Sequence, residues 1–246
     1  MVNPTPDSAP DAARLLRAAR ELPHQRVAAI ELDGRRYWIK RPEAAPLRLR
    51  LQKGNGAAAF QREMARLTAF AERGAPVPAI MAQSPDMVIL ADAGLPLSHL
   101  AQHGPAEDMV FLLAQAARAL AGLHAAGLAH GRPRLRDICW DGADIRFLDL
   151  EAGARLDAPR WRRARDLLIF LHSIFQHDTD MSALAGGALA AYGDADHAQV
   201  APLARKMARG LAVVAFLVAP LIRRDRKRGK KNSEFVALAD LLNFLS

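Results

Sequence analysis

His130-Gly131-Arg132-Pro133-Arg134-Leu135-Arg136-Asp137-Ile138, followed after a spacer by Phe147-Leu148-Asp149-Leu150-Glu151, is the stretch around which the chain is organised. Two carboxylates, Asp137 and Asp149, stand at the ends of two short apolar runs, which Asp141-Gly142-Ala143-Asp144 separates. Asp-Gly between apolar residues favours a hairpin, because glycine reaches the positive φ that a tight turn requires. The spacing predicts a β-ribbon with both carboxylates at one end. Oxygen donors so arranged suit magnesium, which takes one or two carboxylates and completes its shell with water and phosphate.

Upstream, Arg26 to Leu32 and Arg36 to Lys40 read as two strands joined by Asp33-Gly34, the strongest short-range hairpin signal in the chain. Lys40 ends the second strand. It is either a lysine that blunts a sheet edge or one that holds an anion. A helix is expected over Ala57 to Glu72. At 100° per residue Phe60, Met64, Leu67 and Ala71 share its apolar stripe, with Phe70 at the margin. Glu63 falls inside the same arc. A carboxylate there needs a partner, since an unpaired buried charge is costly; Lys40 competes for that place with Arg62 and Arg66. Lys53-Gly54-Asn55-Gly56, just before the helix, is either a surface connection or a weak phosphate cradle.

Pro76 to Met81 and Asp86 to Ala91 read as two further strands, and Asp92-Ala93-Gly94-Leu95-Pro96-Leu97 changes abruptly to turn residues. We read a tail over 1–10, an N-terminal lobe over 11–92 that opens with a helix from Asp11 to Leu22, and a helical C-terminal lobe over 93–246. In the latter, Ala106 to Ala126 is amphipathic, with Met109, Leu113, Ala116, Leu120 and Leu123 on one stripe. Trp161 to Gln176 is apolar on every side around Leu167-Leu168-Ile169-Phe170-Leu171, which predicts a central helix. Asp166 stands at its entrance, where an acid complements the helix dipole. Helices are further expected over Met181–Tyr192, Gln199–Ile222 and Ser233–Leu245.

The chain of 246 residues carries a formal net charge of +8, which favours anionic partners. Seven of the nine residues from Arg223 to Lys231 are basic, a run that reads as a solvated helix end or as peripheral contact with an acidic inner-membrane face. Nucleic acid is disfavoured, because aromatics are only 6% of residues and are not interleaved with the arginines. The single cysteine, Cys139, excludes a disulfide framework and fits a cytoplasmic setting. The longest apolar run, Leu211 to Ile222, is interrupted by Pro220 and too short to span a bilayer.

His130, a carboxylate at Asp137 and another at Asp149 after a short hairpin, with Lys40 and Glu63 upstream, resemble the catalytic segment of protein-kinase-like enzymes. Within that superfamily the bacterial lipopolysaccharide-core and Kdo sugar kinases are the most similar. The resemblance covers roughly residues 26–175 and implies an α+β, two-lobed fold. A small antiparallel sheet plus one helix forms its N-terminal lobe, and helices dominate the larger C-terminal lobe. It implies ATP and magnesium as cofactors, with Asp137 and Asp149 as metal ligands and Lys40 on the nucleotide phosphates, held by Glu63. His130 becomes architectural, and Asp166 bonds the backbone of the catalytic loop. Arg134 stands where the family carries a phosphate-contacting lysine.

One departure matters. Arg132 occupies the place of the catalytic Asp, two residues after the His, and puts a fixed positive charge there. General-base help is worth ~10²–10⁴ in rate, or about 3–5 kcal/mol, so its loss weakens catalysis without abolishing binding. Two functions follow. The first is an atypical phosphotransferase moving the ATP γ-phosphate to a sugar hydroxyl or other small acceptor, anionic or lipid-linked. The second is a pseudokinase, a nucleotide- or metal-responsive module that regulates a partner.

Overall fold

The computed structural model describes residues 10–42, 56–150, 153–177, 181–217, 219–229 and 233–246. The expected tail (save Pro10), the residues Lys53 to Asn55, Glu151 and the end of the basic run lie outside them. The chain is an α+β protein that divides into two compact units: the described residues up to Thr68 with Pro78–Asp92, and Ala69–Val77 with Ala93–Ser246. The division falls inside a helix, so residues 69–77 belong with the second unit rather than with the N-terminal lobe read from sequence.

In the first unit, β1 (Val27–Leu32) and β2 (Arg35–Lys40) pair antiparallel, Val27 opposite Lys40 and Leu32 opposite Arg35. Asp33 and Gly34 turn between them with φ of 54° and 72°, the left-handed pair that a two-residue hairpin needs. Strands β3 (Ile80–Ser84) and β4 (Met87–Ala91) complete a sheet of order β1-β2-β4-β3. The strand expected at Pro76 to Met81 starts later, at Ile80, because Pro76 and Pro78 have no N–H to give a ladder.

Side-chain alternation gives this sheet two working faces. Tyr37 and Ile39 of β2 and Met87 and Ile89 of β4 pack with Leu15 and Ala19 of α1 (Ala12–Glu21). Val88, with Ile80 and Leu90, packs with Phe60 and Met64 of α2 (Gly56–Glu72). The sheet therefore carries a helix on each face; both helices were expected from the sequence, whereas the resemblance implied one. Buried Arg41 ties α1 down by donating to the carbonyls of Ala19 at 2.5 Å and Gln25 at 3.3 Å. Along α2, Phe70 is fully buried and Ala71 is exposed. The buried line thus follows the larger side chain rather than the stripe drawn from sequence.

The second unit resumes at Ala93, where turn residues alone were expected. A two-residue strand β5 (Leu95–Pro96) leads directly into α3 (Leu97–His103). Then α4 (Ala106–Ala125) buries Met109, Leu113, Ala116, Leu120 and Leu123, the whole stripe read from its sequence. A 3₁₀ turn at Leu135–Asp137 precedes β6 (Ile138–Trp140), which pairs with β5 on one side and β7 (Ile145–Phe147) on the other. Leu167, Phe170, Leu171 and Ile174 of α5 (Arg160–Ile174) are completely enclosed, as the all-round apolar pattern predicts. α6 (Met181–Asp194) packs on α4, and α7 (Val200–Leu217) on α5. Where a helix is expected over Gln199–Ile222, the described residues give α7 and then α8 (Ala219–Lys227), which runs on past Ile222. α9 (Glu234–Leu245) closes the chain.

Gly94 sets how closely β5 approaches the ribbon. Its φ is 77°, and a Cβ there would lie 1.9 Å from the Trp140 carbonyl oxygen and 2.5 Å from Asp141 Cα, both rigid backbone. Gly94→Ala is expected to destabilise the second unit by about 2–4 kcal/mol, combining left-handed strain with a forced backbone shift. Urea denaturation measures it, and a loss below about 1 kcal/mol would show that the strand pair simply separates.

Candidate functional site

The two units each present a cluster of charged side chains. In the first, β2 alternation turns Lys40 away from Tyr37 and Ile39, toward the face that α2 covers. On α2, Glu63 precedes Met64 by one residue and follows Phe60 by three, so it projects beside the buried line. The Lys40 ammonium and a Glu63 carboxylate oxygen form an ion pair whose side chains are 19% and 12% exposed. Mutual neutralisation lets both groups lie in a largely sequestered place.

The second cluster is built on the loop 129–137 and the ribbon. Ala129 and Arg155 exchange backbone hydrogen bonds of 3.0 and 2.9 Å, which fixes the start of the loop. The Gly131 N–H donates to both carboxylate oxygens of Asp166, at 3.1 and 3.0 Å. Two turns further along α5, the Ser173 hydroxyl accepts from the Leu135 N–H at 3.2 Å. Asp166 and Ser173 are both buried, so one face of α5 holds the loop at two points.

His130 links the loop to the ribbon. Its Nε2 lies 2.8 Å from the Leu148 carbonyl, and its Nδ1 accepts from the Arg132 N–H at 3.3 Å. This places the imidazole proton on Nε2 and leaves the ring neutral. The Leu148 N–H in turn donates to the Asp137 carbonyl at 2.8 Å. Asp137 and Asp149 thus flank the open end of the ribbon, while Asp141 closes the other end by accepting from the Ala143 and Asp144 N–H groups at 2.9 and 2.7 Å.

Burial pushes the Asp137 carboxyl above its ordinary value; Arg136 opposes this, and Asp149 adds to it. Asp137 Oδ2 is buried with no hydrogen-bond partner. Asp149 has φ of 58°, a left-handed conformation that aspartate tolerates better than most residues and that recurs at functional sites. Its Oδ2 lies 3.2 Å from Arg132 Nη2. Arg134 reaches Glu234 at 3.3 Å. Among the described residues no three His, Cys, Asp or Glu side chains come together as a metal-binding group, so only the two carboxylates are on offer here.

Sequence reasoning missed what stands behind Asp166. His124 of α4, fully buried, has Nε2 at 3.6 Å from Asp166 Oδ2, and its Nδ1 lies 2.6 Å from the Tyr192 hydroxyl of α6. At 3.6 Å the former is a charge–dipole contact rather than a hydrogen bond. The phenol donates to Nδ1, which leaves the proton on Nε2 facing the carboxylate. The only sequence signal was polar residues interrupting apolar helix faces.

Burial holds both His124 and His130 below the ordinary imidazole value of 6.5, with Asp166 opposing in each case. The unfolded chain then binds more protons than the folded one just below that value, so stability falls as pH drops from it. Urea denaturation between pH 7 and 5 is expected to show this loss, and His124→Gln to reduce the slope. An unchanged slope in the variant would mean that His124 titrates alike in both states.

At the C-terminal end of α8, Arg226 pairs with Asp240 at 2.6 Å and Arg224 with Asp225 at 3.2 Å. Part of the basic run is therefore neutralised within the fold. Among the described residues no helix is long and apolar enough to cross a membrane.

Fold and site together define an α+β protein of two units, each with its own buried or half-buried ion-pair cluster. No family model matches the chain. It is 34% identical over 156 residues to a Haemophilus influenzae protein described only as uncharacterized, an alignment covering 63% of this chain and 64% of that protein. The chain thus spans less than two thirds of that relative's length.

Proposed function

We propose that the chain is an atypical, two-lobed kinase-like phosphotransferase that moves the γ-phosphate of ATP to a hydroxyl of a sugar or another small acceptor. The observation that carries this reading is the convergence of His130, Asp137 and Asp149 on one hydrogen-bonded loop and ribbon, held from behind by Asp166. The Lys40–Glu63 pair in the first unit supports it independently.

Phosphoryl transfer asks little covalent chemistry of a protein and much positioning of charge. Lys40 serves the nucleotide phosphates, and Glu63 limits the conformations its ammonium explores. Asp137 and Asp149 fit magnesium: one oxygen is buried and unpartnered, and the donors are hard carboxylates. Bound there, the ion supplies positive charge to the phosphate oxygens. Arg134 and Arg132 add guanidinium donors suited to phosphate. As the acceptor oxygen bonds to phosphorus, the bond to the ADP oxygen breaks and the acceptor proton passes to water. An anionic or lipid-linked acceptor, met at the inner membrane through the basic run Arg223 to Lys231, accords with the +8 net charge.

The Arg132–Asp149 pair favours a second reading, a pseudokinase that binds nucleotide and regulates a partner. Thermal denaturation with ATP, with and without magnesium, tests both. Stabilisation that needs magnesium supports nucleotide binding; its absence refutes both. ATP turnover with sugar acceptors then separates them. If wild type is inert and Arg132→Asp gains activity, the pseudokinase reading holds.

A further inference from the structure

We propose that Arg132 is a built-in counter-ion for Asp149, and that a phosphate-type anion drawing its guanidinium away opens this carboxylate to a divalent cation. The inference rests on the reading of Asp149 as a metal carboxylate.

The Arg132 and Asp149 side chains are 35% and 34% exposed. An ion pair so open to solvent is weak, which makes it a contact that a ligand can exchange rather than a structural lock. The position of Asp149 does not depend on it. The preceding residue is held through the Leu148 N–H and carbonyl, by Asp137 and His130 respectively, and the left-handed φ of Asp149 continues from there. Removing the guanidinium therefore leaves the carboxylate in place.

Around this pair, charges are incompletely matched. Asp137 Oδ2 is buried without a hydrogen-bond partner, and so are the Nε atoms of Arg132 and Arg134. Arg134 spends its other end on Glu234, whose side chain is 65% exposed. Two arginines two positions apart, each held by an exchangeable carboxylate, present forked donors that match a tetrahedral oxyanion better than a monodentate carboxylate. An anion that takes Arg132 removes a positive charge from beside Asp149 and adds a negative one. Linkage then requires that anion and cation raise each other's affinity by the same factor.

The test is titration of the full chain with Mn²⁺, read by the electron paramagnetic resonance of the free ion, with inorganic sulfate or with chloride at equal ionic strength. Sulfate is expected to tighten Mn²⁺ binding to the wild type about fivefold. Arg132→Gln is expected to bind Mn²⁺ about fivefold tighter in chloride alone, with little further gain from sulfate. Arg132→Lys restores the charge and returns the wild-type affinity; Asp149→Asn loses the coupling. Circular dichroism confirms that each variant is folded.

Binding no tighter in Arg132→Gln, or an equal sulfate effect in it, overturns the counter-ion role. The kinase-like reading survives that outcome if magnesium still governs stabilisation by ATP. Failure of every variant to bind Mn²⁺ overturns the role as well, and the ATP experiment then decides the broader reading separately.

Discussion

Asp149→Ala is expected to lose magnesium-dependent stabilisation by ATP altogether, and phosphoryl transfer by at least about a hundredfold. Charge placed where phosphate oxygens develop negative potential is worth about 10²–10³ in rate when one such contact is removed. Among the described residues no third acid joins Asp137 and Asp149 in a metal-binding group, so none of those residues can take over. Alanine also meets a backbone at φ of 58°, which costs about 1 kcal/mol. Asp149→Asn avoids that strain, since asparagine visits the left-handed region, and it keeps the side-chain shape. Both variants should fold, because the lost Arg132 contact lies between side chains only 35% and 34% exposed yet open enough to be weak. A magnesium-dependent thermal shift that persists in both would refute the assignment of Asp149 to the metal.

Asp166→Ala is expected to destabilise the second unit by about 3–5 kcal/mol. The carboxylate is 1% exposed, and it accepts the Gly131 N–H through both oxygens. Truncation leaves that N–H buried without a partner, opens a void, and removes the charge that His124 Nε2 faces. Asp166→Asn retains volume and one acceptor, so about half the loss is expected. Activity should fall in this variant even where it remains folded, because Gly131 precedes Arg132 and the loop geometry follows from that bond. Urea denaturation followed by tryptophan fluorescence gives the measurement. A change below about 1 kcal/mol in Asp166→Ala would mean that water replaces the carboxylate.

Much of the local architecture was legible. The 100° helical step put Glu63 on the apolar stripe, where it needs a partner; the kinase-like resemblance, not periodicity, chose Lys40 over Arg62 and Arg66, and the two side chains form an ion pair. The Asp33-Gly34 and Asp141 turns announced their hairpins through residues able to take positive φ or to bond their own backbone. The enclosed α5 was visible in its unbroken apolar run.

Other features left no comparable trace. That α1 covers the sheet face opposite α2 depends on which of two apolar faces each helix finds, and both faces read alike along the strands. Strand β5 is only two residues long, below any periodicity. Ser173, His124 and Tyr192 come from separate helices and meet behind Asp166 only because those helices pack there.

By itself, the sequence determined where the hairpin turns, most of the strands and the longer helices fall, and it brought Asp137 and Asp149 to one end of a ribbon, because these depend on neighbours a few residues apart. Only the tertiary structure decided that Arg132 turns onto Asp149 and that Gly131 is the loop residue bonded by Asp166, whose bond to the loop backbone the resemblance already implied. Those contacts join residues 17 and 35 positions apart, and their geometry follows from how the loop, ribbon and α5 pack, which no local pattern encodes.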